Sequence, residues 1–83
     1  MFNEYIKAAM HLAHYEMIDN DEPFYGEIPE LIGVWSTGKS LEDCRDNLLS
    51  SLEEWLLVKI RLGLDVPVIN DIRITMPRIV ENA

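Results

Sequence analysis

The strongest periodicity in the chain begins at Ser40. Apolar residues follow at Leu41, Cys44, Leu48, Leu52, Trp55, Leu56 and Ile60, the stripe of an amphipathic helix with a period of about 3.6 residues. Both ends are marked. Ser40, with Asp43 three residues on, has the form of a capping box. Glu42 and Asp43 put negative charge in the first turn, where the helix dipole favours it. Lys59 and Arg61 fall in the last turns, and Gly63 stands where a left-handed cap belongs. The pattern predicts a helix over 40–62. Its second half is apolar around most of its circumference, through Trp55, Leu56, Leu57, Val58, Ile60 and Leu62. One face can pack on a sheet. The rest stays wet unless residues after Gly63 fold back over it or another copy covers it. The second alternative predicts a homodimer or tetramer built on Trp55, Leu57, Val58 and Leu62 with edge strands.

Upstream the punctuation changes. Pro23, Gly26, Pro29, Gly33 and Gly38 exclude a long helix. Between them Phe24, Tyr25, Ile28, Val34 and Trp35 suit a pleated surface. Strands are expected near 24–30 and 33–37, with a turn at 31–33. The acidic run Asp19-Asn20-Asp21-Glu22 is a second turn, leading back to a strand near 11–18. The first residues read two ways. Phe2, Tyr5, Ile6, Ala9 and Met10 fit a short helix over 3–10, whereas one strand from 4 to 18 is the alternative. Near the end Ile72, Arg73, Ile74 and Thr75 alternate between the turn signals Asn70-Asp71 and Pro77. The expected order is (α)βββαβ. That is an α+β fold of two layers: a three-stranded antiparallel meander plus a C-terminal strand, with one long helix packed on one face.

Composition bounds the function. The 83 residues form one domain, 1–83. An apolar content of 48% and a charged content of 27% are those of a globular chain. Fifteen acids against seven bases give a formal net charge of −8. The stretch between Lys7 and Lys39 holds Glu16, Asp19, Asp21, Glu22, Glu27 and Glu30 and neither Lys nor Arg. Nucleic-acid binders need clustered bases, so no direct nucleic-acid or anionic-membrane binding is expected. A basic protein partner fits better. Cys44 is the only cysteine, which excludes an internal disulfide. No leader pattern and no run of the ~20 apolar residues that span a bilayer is present, so a cytoplasmic location is expected.

The residues Phe24-Tyr25-Gly26-Glu27-Ile28-Pro29-Glu30-Leu31, Gly33, and Val34-Trp35-Ser36-Thr37-Gly38-Lys39-Ser40-Leu41-Glu42 resemble the HicB-like antitoxin family. That family combines an aromatic-rich strand, a turn with Pro, an apolar residue and Gly, and a short strand. A glycine and Ser or Thr, then Leu and acids, open its long helix. Asp43 stands here where Glu is more frequent. The resemblance spans roughly residues 12–68. It implies a partial ribonuclease H-like fold and the role of antitoxin in a type II toxin–antitoxin pair. The implied partner is a small, basic, mRNA-cleaving HicA-like toxin, sequestered by direct contact. Many members add a DNA-binding module at the C-terminus. Here sixteen positions follow Pro67, with Arg73 and Arg78 the only bases, and no operator binding is expected from this chain alone. The toxin-binding residues expected on this reading are Tyr25, Glu27, Glu30 and Trp35. The alternative is a stand-alone oligomeric domain, structural or small-ligand-binding, with no toxin partner.

Catalysis is not expected. A metal-dependent nuclease needs convergent carboxylates, but Asp19, Asp21 and Glu22 share one turn, and on a strand Glu27 and Glu30 would point to opposite faces. His11 and His14 have no firm third ligand beyond Glu16, which makes a poor zinc site. Cys44 lies in the helix stripe as a small apolar residue. The glycines lack the spacing of a phosphate loop; Lys39-Ser40 matches only its last two letters. No metal or cofactor is therefore expected.

Overall fold

A computed structural model describes residues 2–73, in the order α1 (Phe2–His11), β1 (His14–Met17), β2 (Phe24–Glu27), β3 (Trp35–Gly38) and α2 (Leu41–Arg61). The fold is α+β, with a three-stranded antiparallel sheet and one long helix. Its strand order is β1-β2-β3, with Tyr15 opposite Gly26 and Gly26 opposite Ser36.

The first residues form a helix, and the single strand over 4–18 is overturned. Tyr5, Ala8 and Ala9 all bury themselves in the core. Helical spacing allows that, whereas a strand would send Ala8 and Ala9 to opposite faces. The core joins these three to Ile28, Leu31 and Val34 from the β2–β3 connection, to Leu48, Leu52 and Leu56 of α2, and to Ile69.

All three strands are shorter than the expected spans. β2 stops at Glu27, and β3 starts at Trp35 and runs through Gly38. For β2 and β3 the cause lies in their connection, while His11 at the start of the expected first strand belongs to α1. The Ile28 N–H reaches the Val34 carbonyl at 3.1 Å, but the Val34 N–H turns back to the Leu31 carbonyl, also at 3.1 Å. The ladder ends there, and Ile28, Leu31 and Val34 point into the core instead.

α2 runs from Leu41 to Arg61, one residue inside the expected 40–62 at each end, with Ser40 and Leu62 as its caps. The Asp43 N–H donates to Ser40 Oγ at 3.0 Å, and Ser40 itself is extended. Gly63 closes the helix at φ +68°, a conformation that glycine adopts without a Cβ penalty. The helix lies very close to the sheet. A Cβ on Gly38 would stand 2.7 Å from Cys44 Cα, and one on Gly26 would stand 3.2 Å from Cys44 Sγ. Ser36 adds a tie, its Oγ donating to the Cys44 carbonyl at 2.8 Å.

After Gly63 the chain returns to the core. Tyr5 donates its hydroxyl to the Pro67 carbonyl, and Ile69 is buried. Asn70 and Asp71 have φ of +49° and +62° between reciprocal Ile69–Ile72 hydrogen bonds, the geometry of a tight hairpin turn. Of the strand expected over Ile72–Thr75, only the Ile69–Ile72 bridge lies among the described residues; residues 74 and 75 lie outside them. The folded-back segment covers part of the core but leaves Leu57, Val58 and Leu62 exposed. No described helix is long and apolar enough to cross a membrane.

Candidate functional site

Strand alternation divides the sheet into two faces. Gly26, Ser36 and Gly38 face α2 and are buried. The register places His14, Glu16, Tyr25, Glu27, Trp35 and Thr37 on the opposite face. No described element covers it. Tyr25 and Trp35 sit diagonally on neighbouring strands and stack, with ring centroids 6.2 Å apart and planes inclined by 22°. Trp35 remains 55% exposed, unusual for an indole with no partner above it.

Carboxylates surround this aromatic pair. The Tyr25 hydroxyl donates to Glu27 Oε1 at 3.0 Å. Burial pushes the Tyr25 phenol above its ordinary value, helped by that hydrogen bond and by the negative charges of Glu27 and Glu16. Glu22, in the turn before β2, accepts a hydrogen bond from Thr37 Oγ1. That contact holds the acidic turn against the rim of the face. A shallow hollow of about 250 Å³ lies between His14, Glu16, Tyr25, Glu27 and Pro29. Its lining combines an aromatic ring with two carboxylates. Aromatic faces and carboxylates both attract guanidinium and ammonium groups.

Of the residues expected to bind a partner, Tyr25, Glu27 and Trp35 come together on this face. Glu30 does not share a strand with Glu27, so the expected opposition of the two across a strand is corrected: Glu30 is exposed in the connection beyond the end of β2. His14 and Thr37 were not among the expected binding residues. Alternation along β1 and β3 carries them there once the register is known.

The expected self-association set divides. Trp55 is half-buried, its indole N–H donates to the Ile32 carbonyl at 3.1 Å, and the Lys59 ammonium lies 5.0 Å from its ring centroid. Its polar handle is thus engaged within the chain. Leu57 lines an apolar groove between α1 and α2 with Ile6 and Ile60. Val58 and Leu62 belong to a different flank of the helix, because adjacent helical residues diverge by about 100°.

Among the described residues, no three His, Cys, Asp or Glu side chains converge on a possible metal position. Cys44 is buried beneath β3 and contacts Ser36.

A family model described as UPF0150-like matches residues 4–67. The chain is also similar to a solved structure, the crystal structure of TTHA0281 from Thermus thermophilus. The two share 47% sequence identity and superpose with a TM-score of 0.89, over 93% of this chain and 95% of that one. No curated protein matches.

Proposed function

The chain belongs to the UPF0150-like family, within the HicB/antitoxin-like superfamily of small proteins, and we propose that it acts as an antitoxin of the HicB type. Its target is a small, basic, mRNA-cleaving toxin of the HicA type. It acts by stoichiometric occlusion, with no turnover and no cofactor. On this reading the meander with α2 is a partial ribonuclease H-like fold, recruited for binding.

The observation that carries the proposal is the uncovered outer face of the sheet. Tyr25 and Trp35 form a stacked apolar centre there, and Glu16, Glu22 and Glu27 surround it. An aromatic centre with a charged rim is the anatomy of a protein-binding surface. The formal net charge of −8 supports attraction of a basic partner. A nuclease that grips RNA through basic residues offers the matching charge, and covering those residues would block RNA entry.

Co-expression with the adjacent small reading frame tests the proposal. The neighbour is expected to arrest growth alone, to be harmless beside this protein, and to co-purify with it. A neighbour that is harmless alone, or toxic but never retained, leaves the stand-alone oligomeric domain as the better account.

A further inference from the structure

Between α1 and α2, on the side of the sheet away from its outer face, lies a hollow of about 410 Å³, larger than the one beside Tyr25. Three pairs of residues build it, each pair four positions apart and so on one helix face. Ile6 with Met10 and Lys7 with His11 come from α1, and Arg45 with Leu49 comes from α2. Ile6, Met10 and Leu49 are half-buried and form the floor. Lys7, His11 and Arg45 are exposed and form the rim.

That rim runs against the composition of the chain. Fifteen acids outnumber seven bases, yet no carboxylate is among the lining residues. Glu4 and Glu42 stand one turn before Lys7 and Arg45 but outside the hollow. The side-chain hydrogen bonds among the described residues involve none of the three basic groups. Burial raises the Tyr15 phenol, and the Arg45 guanidinium acts against that rise, so its field reaches the β1 side of the hollow. Gathering like charges costs stability. An anion seated among them would offset that cost.

The rest of the surface limits what the anion can be. A nucleic-acid strand, an acidic protein or an anionic bilayer would extend past the hollow onto a chain of formal net charge −8 and be repelled. A bare inorganic ion would leave the apolar floor in water. An apolar cavity of ~150 Å³ holds benzene, so this hollow has room for an apolar group roughly twice that size. We infer that it binds a small amphiphilic anion, with an alkyl chain or ring on Ile6, Met10 and Leu49 and a carboxylate or phosphate among Lys7, His11 and Arg45. An apolar lining with a few convergent polar groups is the usual composition of a small-molecule site. The hollow is separate from the outer face of the sheet, and the inference does not rest on the antitoxin reading.

Titration of the isotope-labelled full-length protein, followed by NMR, tests it. Octanoate is expected to shift the amide signals of Ile6, Met10 and Leu49 saturably and to raise Tm. Octyl phosphate should do the same, and the tighter of the two identifies the headgroup. Octanol and inorganic phosphate each lack one half of the ligand and should bind at least about tenfold more weakly, as loss of a charge-assisted hydrogen bond or of the buried chain implies. Octyltrimethylammonium should not bind. This series reads the inference without any substitution. Lys7→Glu and Arg45→Glu should each weaken octanoate about tenfold. Lys39→Glu, exposed between β3 and α2, makes the same change in net charge and should leave binding unchanged. No saturable binding of either octyl anion, equal binding of octanoate, octanol and the ammonium, shifts centred on Leu57 and Ile60 instead, or a Lys39→Glu effect as large as that of Arg45→Glu would overturn the inference.

Discussion

Ser36 on β3 donates its hydroxyl to the carbonyl of Cys44 on α2 at 2.8 Å, and the Cys44 thiol sulfur lies 3.6 Å from Ser36 Oγ. This contact fixes the height of the helix above the sheet, and the outer face depends on it. With the inner face closed over Gly26, Ser36 and Gly38, the intervening residues Tyr25, Glu27, Trp35 and Thr37 can only point outward.

Gly38→Ala is expected to destabilise the protein by about 2–3 kcal/mol, because the new methyl would meet helix backbone, which cannot rotate away. Ser36→Ala should cost about 1 kcal/mol for the lost hydrogen bond. Urea unfolding followed by circular dichroism would measure both. A Gly38→Ala variant as stable as wild type would mean that helix and sheet are further apart.

Ser40→Ala should lose about 1 kcal/mol through the cap on the Asp43 N–H. Gly63→Val should lose at least about 1 kcal/mol, because a β-branched residue is strained at φ +68°. The same unfolding experiment reads both, and two neutral substitutions would displace the ends of α2.

The ends of α2 were legible in the sequence because Ser40 and Gly63 act locally. The strand ends were not. Whether Val34 continues the ladder depends on its N–H choosing the Leu31 carbonyl, a choice made by core packing. The roles of Gly26 and Gly38 had a signal that could have been used, since glycine inside a strand often marks close backbone approach. The division between Leu57 and Val58 was also readable from helical spacing. The grouping of Tyr25, Glu27 and Trp35 follows from alternation, once β2 is known to stop before Glu30.

Alkaline pH should loosen the attachment of the returning chain. Burial raises the Tyr5 phenol above its ordinary value, and its hydroxyl serves Pro67 as a donor. A group whose pKa is raised on folding contributes stability that is fully present below its unfolded value and is lost as pH rises through the folded one. Stability should therefore fall above about pH 10. In Tyr5→Phe that part of the decline should disappear. Urea midpoints at successive pH values would show it, and an identical decline in the variant would assign the effect elsewhere.

Salt should act mainly on the rate of toxin capture. If Glu16, Glu22 and Glu27 guide a basic partner, raising ionic strength slows association more than it speeds dissociation. Stopped-flow mixing at several salt concentrations would separate the two rates. An association rate insensitive to salt would remove the electrostatic part of the account.

The most direct test is a binding titration between this protein and the basic product of the adjacent reading frame. Wild type, Glu27→Lys, Trp35→Ala and Glu53→Lys would be compared by calorimetry. The account predicts saturation at a fixed stoichiometry. Trp35→Ala should lose about 2 kcal/mol or more, as central aromatic anchors do. Glu27→Lys should weaken binding clearly, while Glu53→Lys, on the helix away from the outer face, stays close to wild type. No binding by the wild type, or equal binding by all four proteins, would contradict capture through the open face of the sheet.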